Sequence, residues 1–136
     1  MKDVFGVTDC TIYDVPDSHL FSRHTRIFTS IIDLAVRNVD ELETEIAPAL
    51  FTYGRRHYQQ ALLNVFDEQS VRMFCAEIVH IMVDLLGDNL TTLAFEAWIE
   101  LVRYMGAALL SGFEYERLTN TKKISINTKQ HTYFVL

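Results

Sequence analysis

A chain of 136 residues and 15.7 kDa has room for one domain with a sizeable core and no second one. A composition of 49% hydrophobic and 22% charged residues argues against disorder, and 5 Gly with 2 Pro are too few for the many turns of a sandwich or barrel, so long helices are expected. A net charge of −6 opposes nucleic-acid binding, and the longest run free of charged residues and His, 104–113, is too short for a membrane span.

Residues 1–17 read as irregular, with Pro16 and Asp17-Ser18 as a turn and helix-start signal. The opening MKDVFGVTD lacks the apolar run of a signal peptide, so a cytoplasmic location is expected. Over 20–36, Leu20, His24, Ile27, Phe28, Ile31 and Ala35 recur at steps of three and four and predict one helical face. Residues 40–45 form an acidic connector, followed by a short helix over 46–57 with the stripe Ile46, Leu50, Tyr53 and His57. Pro48 is tolerable there because it falls in the first turn, where its missing N–H is not needed.

A third helix is predicted over 68–86, with Val71, Phe74, Cys75, Ile78, Met82 and Leu85 on one face and Gly87 as its C-cap. A fourth begins near the N-cap Thr91 and carries Ala94, Ala97, Trp98, Leu101, Met105, Ala108 and Leu109. Residues 119–136, with Lys122, Lys123 and Lys129 and no acid, alternate loosely through Ile124 and Ile126 to Tyr133-Phe134-Val135-Leu136. They are expected to form a flexible C-terminal tail behind a domain of residues 1–118. Cys10 and Cys75 lack metal-ligand spacing and are expected to be reduced thiols.

The histidines carry the candidate chemistry. His19, His80 and His131 read as solvent-facing polar side chains. His24 and His57 fall on the apolar stripes of consecutive helices, where an imidazole needs a partner. Each alone reads first as a core histidine bonded to a carbonyl. Two facing imidazoles would leave room for one metal ion, yet no Cys or carboxylate on the same face completes a zinc site. Haem supplies four in-plane ligands, and Phe28, Ile31, Leu50, Tyr53, Leu62 and Phe66 would make the apolar wall its macrocycle requires.

Residues 24–42 resemble the E helix and following turn of globins, with His24 at the distal position. Tyr53-Gly-Arg-Arg-His57 resembles the end of the F helix in neuroglobin-like and invertebrate globins, with His57 at the proximal position. Residues 68–87 resemble the G helix, and 97–113 the H helix. The resemblance implies an all-α, globin-like fold that is incomplete: the E, F, G and H helices with a CD-region lead-in at Val4-Phe5-Gly6, and no A to C helices before it. It implies haem b held by His57 as the axial iron ligand and reversible binding of oxygen, carbon monoxide or nitric oxide. His24 would hydrogen-bond the bound gas or take the sixth position itself.

The same resemblance places Phe28 one turn after His24, where its ring would narrow the distal cavity and slow ligand entry; faster rebinding to Phe28→Val after flash photolysis is the test. Arg55 and Arg56 read as a solvated charge pair, with one meeting a haem propionate as the other reading. Enzymatic turnover is not expected, because phosphate loops, nucleophile elbows and HExxH are absent from the sequence. Surface left bare by missing A to C helices would seek a second copy or a protein partner. A globin-derived helical interaction module with weak or no haem binding is the alternative function.

Overall fold

The structure is a computed structural model that describes the backbone of residues 19–59 and 66–132, with side chains of residues 19, 21–59 and 66–122. Every regular element among the described residues is helical. The all-α expectation holds at that level. The chain divides between Pro48 and Ala49 into two units.

In the first unit α1 runs His19–Arg37. Ile27, Phe28, Ile31 and Ile32 are half-buried and Ala35 is fully buried, while Arg26, Thr29, Ser30 and Asp33 are exposed, so the predicted stripe forms the inner face. His24, expected on that face, is exposed. The helix ends where Asn38 turns back on Leu34: its backbone N–H and its side-chain amide both donate to the Leu34 carbonyl, at 3.0 and 2.8 Å. The acidic connector is helical throughout, a 3₁₀ turn at Val39–Glu41 followed by a π turn at Leu42–Ile46, which packs on α1. The Ala47 N–H reaches the Leu42 carbonyl, five residues back, and so closes the wide turn.

Helix α2, Ala47–Gln59, starts at the boundary. Pro48 sits in its first turn, where no N–H is required of it. Helix α3 spans Glu68–Leu86, with the bounds the sequence predicts. Its N-cap is Asp67, whose carboxylate accepts from the Ser70 N–H at 2.7 Å. Gly87, at φ +48°, closes it in a conformation that favours glycine. Helix α4 is Thr92–Thr132, and Thr91 caps it by accepting from the Ala94 N–H at 3.2 Å.

Three readings shift. On α3, Val71 is buried and Cys75, Ile78, Val79 and Met82 are half-buried, but Phe74 and Leu85 point outward, at 49% and 76% exposed. On α4 the buried line is Val102, Met105, Gly106, Gly112, Phe113 and Glu116, rotated from the expected one because two different helices pack on it rather than one. Residues 119–132, read as a tail, continue α4 as helix. They contain neither Gly nor Pro, and two isoleucines two apart are too weak an alternation to impose a strand. Pro16, Asp17-Ser18, Val4-Phe5-Gly6, Cys10, Leu62 and Tyr133 to Leu136 lie outside the described residues, as do the side chains of Lys123, Ile124, Ile126, Lys129 and His131.

In the second unit α3 packs on α4 through side chains. Val71 and the Cys75 thiol lie over Gly106, where an added Cβ would come within 3.2 Å of Val71 Cγ1 and 2.8 Å of Cys75 Sγ. Val102, Met105 and Phe113 are at most 6% exposed, and burying each stabilises the fold by about 2 kcal/mol. Between α2 and α4 the backbones themselves touch. A Cβ on Gly54 would strike the Leu109 carbonyl, and one on Gly112 would strike the Phe51 carbonyl. Two glycines are required at this crossing because neither helix leaves room for a side chain.

Candidate functional site

The crossing fixes which way α2 faces. Phe51, Gly54, Arg55 and Tyr58 meet α4: the Phe51 ring lies 5.5 Å from Tyr115, and the Tyr58 ring meets Phe113 edge-on at 5.6 Å. At 100° per residue, the predicted stripe of Leu50, Tyr53 and His57 forms a second, adjacent face. Leu50 is buried; Tyr53 and His57 are half-buried.

His57 Nδ1 lies 2.8 Å from the Tyr53 carbonyl, one turn earlier on the same helix. A carbonyl only accepts, so Nδ1 carries the proton and donates, which leaves Nε2 as the nitrogen with a lone pair. Among the described residues Nε2 has no hydrogen-bond partner. The imidazole packs on Phe66 with centroids 4.9 Å apart, and Phe66 in turn on Phe113 at 4.7 Å. The result is an imidazole held by its Nδ1–H and seated on aromatic rings, with Nε2 uncommitted among the described residues. That is the condition in which histidine binds a metal.

The arginines beside it have defined roles. Arg55, read as a solvated charge or a propionate partner, instead donates from Nε to Glu116 of α4 at 2.6 Å and lies over the Tyr115 ring. Glu116 is largely buried, its side chain 11% exposed, and also accepts from Gln59 Nε2 at 3.3 Å and Asn120 Nδ2 at 3.4 Å. The Arg55 hydrogen bond, then that of Gln59, holds the Glu116 carboxyl below the ordinary carboxylate range, and the same bond raises Arg55. Arg56 stays exposed over the Tyr53 ring.

Of the predicted site residues, Leu50, Tyr53, His57 and Phe66 therefore belong to the second unit, and His57 and Phe66 are in contact. His24, Phe28 and Ile31 belong to α1 in the first unit, the last two half-buried. His19 and His80 are exposed as expected, His80 lying 3.6 Å from Asp84. Cys75 is a free, half-buried thiol, and burial pushes its pKa up, which disfavours the thiolate.

Sequence reasoning missed Glu116 and the glycine pair. Its place one turn after Phe113, on the face that also carries Met105 and Gly112, was the available signal for the first. Among the described residues no group of three metal-ligating side chains occurs, and no helix is long and apolar enough to cross a membrane. Comparison with family models, curated proteins and solved structures finds no match to this chain.

Proposed function

We propose that this chain is a haem protein of globin type, binding a diatomic gas reversibly. The observation that carries the reading is His57: the Nδ1–H bond to the Tyr53 carbonyl commits one nitrogen, and among the described residues Nε2 has no hydrogen-bond partner on a half-buried, aromatic-backed ring. This is the chemistry required of a single axial iron ligand, and it agrees with the resemblance of Tyr53 to His57 to a globin F-helix end. When bound, haem b supplies an iron that takes oxygen, carbon monoxide or nitric oxide.

In this reading His57 would hold the iron through Nε2, with its Nδ1–H engaged by the Tyr53 carbonyl. Leu50 and Phe66 would supply apolar wall beside it; the resemblance alone assigns Leu62, Phe28 and Ile31 to that wall and His24 to the gas side, as hydrogen-bond donor or as sixth ligand. Catalysis is not part of this function, and a cytoplasmic setting suits it. Titration of the full chain with hemin tests it. A Soret band that saturates at one equivalent, shifts with carbon monoxide on reduction and is lost in His57→Ala is the expected result; a colourless chain overturns the reading.

One observation favours a second reading, a globin-derived interaction module without haem. Met73, Phe74, Ile81 and Leu85 are all about half exposed or more on α3, an apolar surface of the kind that meets a protein partner or a second copy. Failure to take up hemin together with self-association in sedimentation selects it.

A further inference from the structure

Which way His57 points depends on how α2 is rolled about its own axis. The contacts that bring α2 to α4, Gly54 against the Leu109 carbonyl and Gly112 against the Phe51 carbonyl, are backbone on backbone and carry no side chain to set that roll. The ring contacts of Phe51 and Tyr58, at 5.5 and 5.6 Å, are broad and tolerate a small rotation. Directional bonds do not. Arg55 and Gln59, four residues apart on α2, both donate to the Glu116 carboxylate, one to each oxygen. Asn120 holds that carboxylate from its own helix, with Nδ2 bonded both to Oε1 and to the Glu116 carbonyl.

A roll of about 10° would move an atom about 6 Å from the helix axis by about 1 Å, which is enough to spoil the approach of a ligand nitrogen to a metal. An apolar side chain at position 116 would pack between these helices without desolvating a charge. What a carboxylate adds is direction. Resting on the haem reading, we propose that Glu116 is a positioning residue for His57: from α4, through Arg55 and Gln59, it sets the roll of α2 and so the direction of the Nε2 lone pair.

The experiment compares the full-length protein with Glu116→Gln, which keeps the shape and removes the charge, and with Arg55→Lys, which keeps the charge and removes the Nε–H. Three readouts are taken: ¹⁵N chemical shifts of the His57 ring without hemin, hemin affinity, and the iron–histidine stretching band of the reduced protein in resonance Raman. Both variants are expected to melt cooperatively, to lose hemin affinity on the order of 10-fold, and to shift or broaden the iron–histidine band. Their His57 ring is expected to keep its Nδ1–H, whose partner lies on the same helix, and to shift in ¹⁵N resonance as it moves against Phe66.

Lower melting temperature with band and ring signals unchanged means that Glu116 is only structural and overturns the proposal. If the wild type takes up no hemin, the haem reading falls by itself. The ring signals then decide the positioning role alone: altered in Glu116→Gln they support it, unaltered they overturn it. Should Glu116→Gln fail to fold, Arg55→Lys supplies the same comparison.

Discussion

Helices α2 and α3 both pack on α4, and they do so by opposite means. Helix α3 leans on α4 through the tips of side chains, Val71 and Cys75 over Gly106, and turns Phe74, Ile81 and Leu85 outward. Helix α2 presses its backbone on that of α4 at Gly54 and Gly112 and adds charged bonds to a nearly buried carboxylate. A contact of side-chain tips can shift by a rotamer; the backbone contact fixes how closely α2 approaches α4, and the bonds to Glu116 add direction. The helix held without slack is the one that carries the histidine with a committed tautomer. On the haem reading, precision in this unit is concentrated where a nitrogen would have to be aimed.

The largest effect that could break this contrast lies at the glycines. Gly54→Ala and Gly112→Ala put a methyl group into a carbonyl and should each destabilise by about 3 kcal/mol or more, or prevent folding, in urea denaturation. Gly106→Ala meets only a thiol and a methyl and should cost about 1 kcal/mol. Cys75→Ala in the same chain should recover most of that, a coupling a double-mutant cycle reads directly. If Gly54→Ala proves as mild as Gly106→Ala, the two packings are not different in kind.

A smaller effect concerns the start of α3. Ser70, through its hydroxyl and its backbone N–H, holds the Asp67 carboxyl below its ordinary value. Because the folded value is the lower one, the cap's stabilisation is complete above the unfolded carboxylate range near pH 4 and fades as pH falls through the folded value. Asp67→Ala should therefore lower the urea midpoint at pH 7, and the gap to wild type should close on acidification below about pH 4. A gap that widens in acid would contradict the assignment. The smallest effect is expected on the outer face of α3: Leu85→Lys should change stability by no more than about 0.5 kcal/mol, although the sequence stripe counts Leu85 as core.

What was legible in the sequence was periodic or punctuated. The bounds of α3, the Gly87 C-cap, the Thr91 cap and the stripe Leu50, Tyr53, His57 all follow from spacing or from residues with one strong local preference. The rotated line on α4 was not legible, because a helix with two neighbours has two inner faces and a single-stripe reading averages them. Glu116 was hidden for a related reason: a carboxylate among polar and charged neighbours (Glu114, Arg117, Asn120) reads as exposed until its partners, 61 and 57 positions away, are known. The i−4 carbonyl under His57 was within reach of sequence once the helix was assigned, since any histidine on a helix has that acceptor beneath it.

The Tyr53 carbonyl that receives the imidazole proton is also the acceptor for residue 57's own amide in the α-helical ladder. Tautomer and backbone are thus coupled in one turn: the imidazole keeps its proton on Nδ1 while the turn from Tyr53 to His57 is formed. Opening of that turn releases the ring to exchange its proton between nitrogens. A ligand held at Nε2 would therefore slow hydrogen–deuterium exchange of the His57 amide, and opening the turn would loosen its hold.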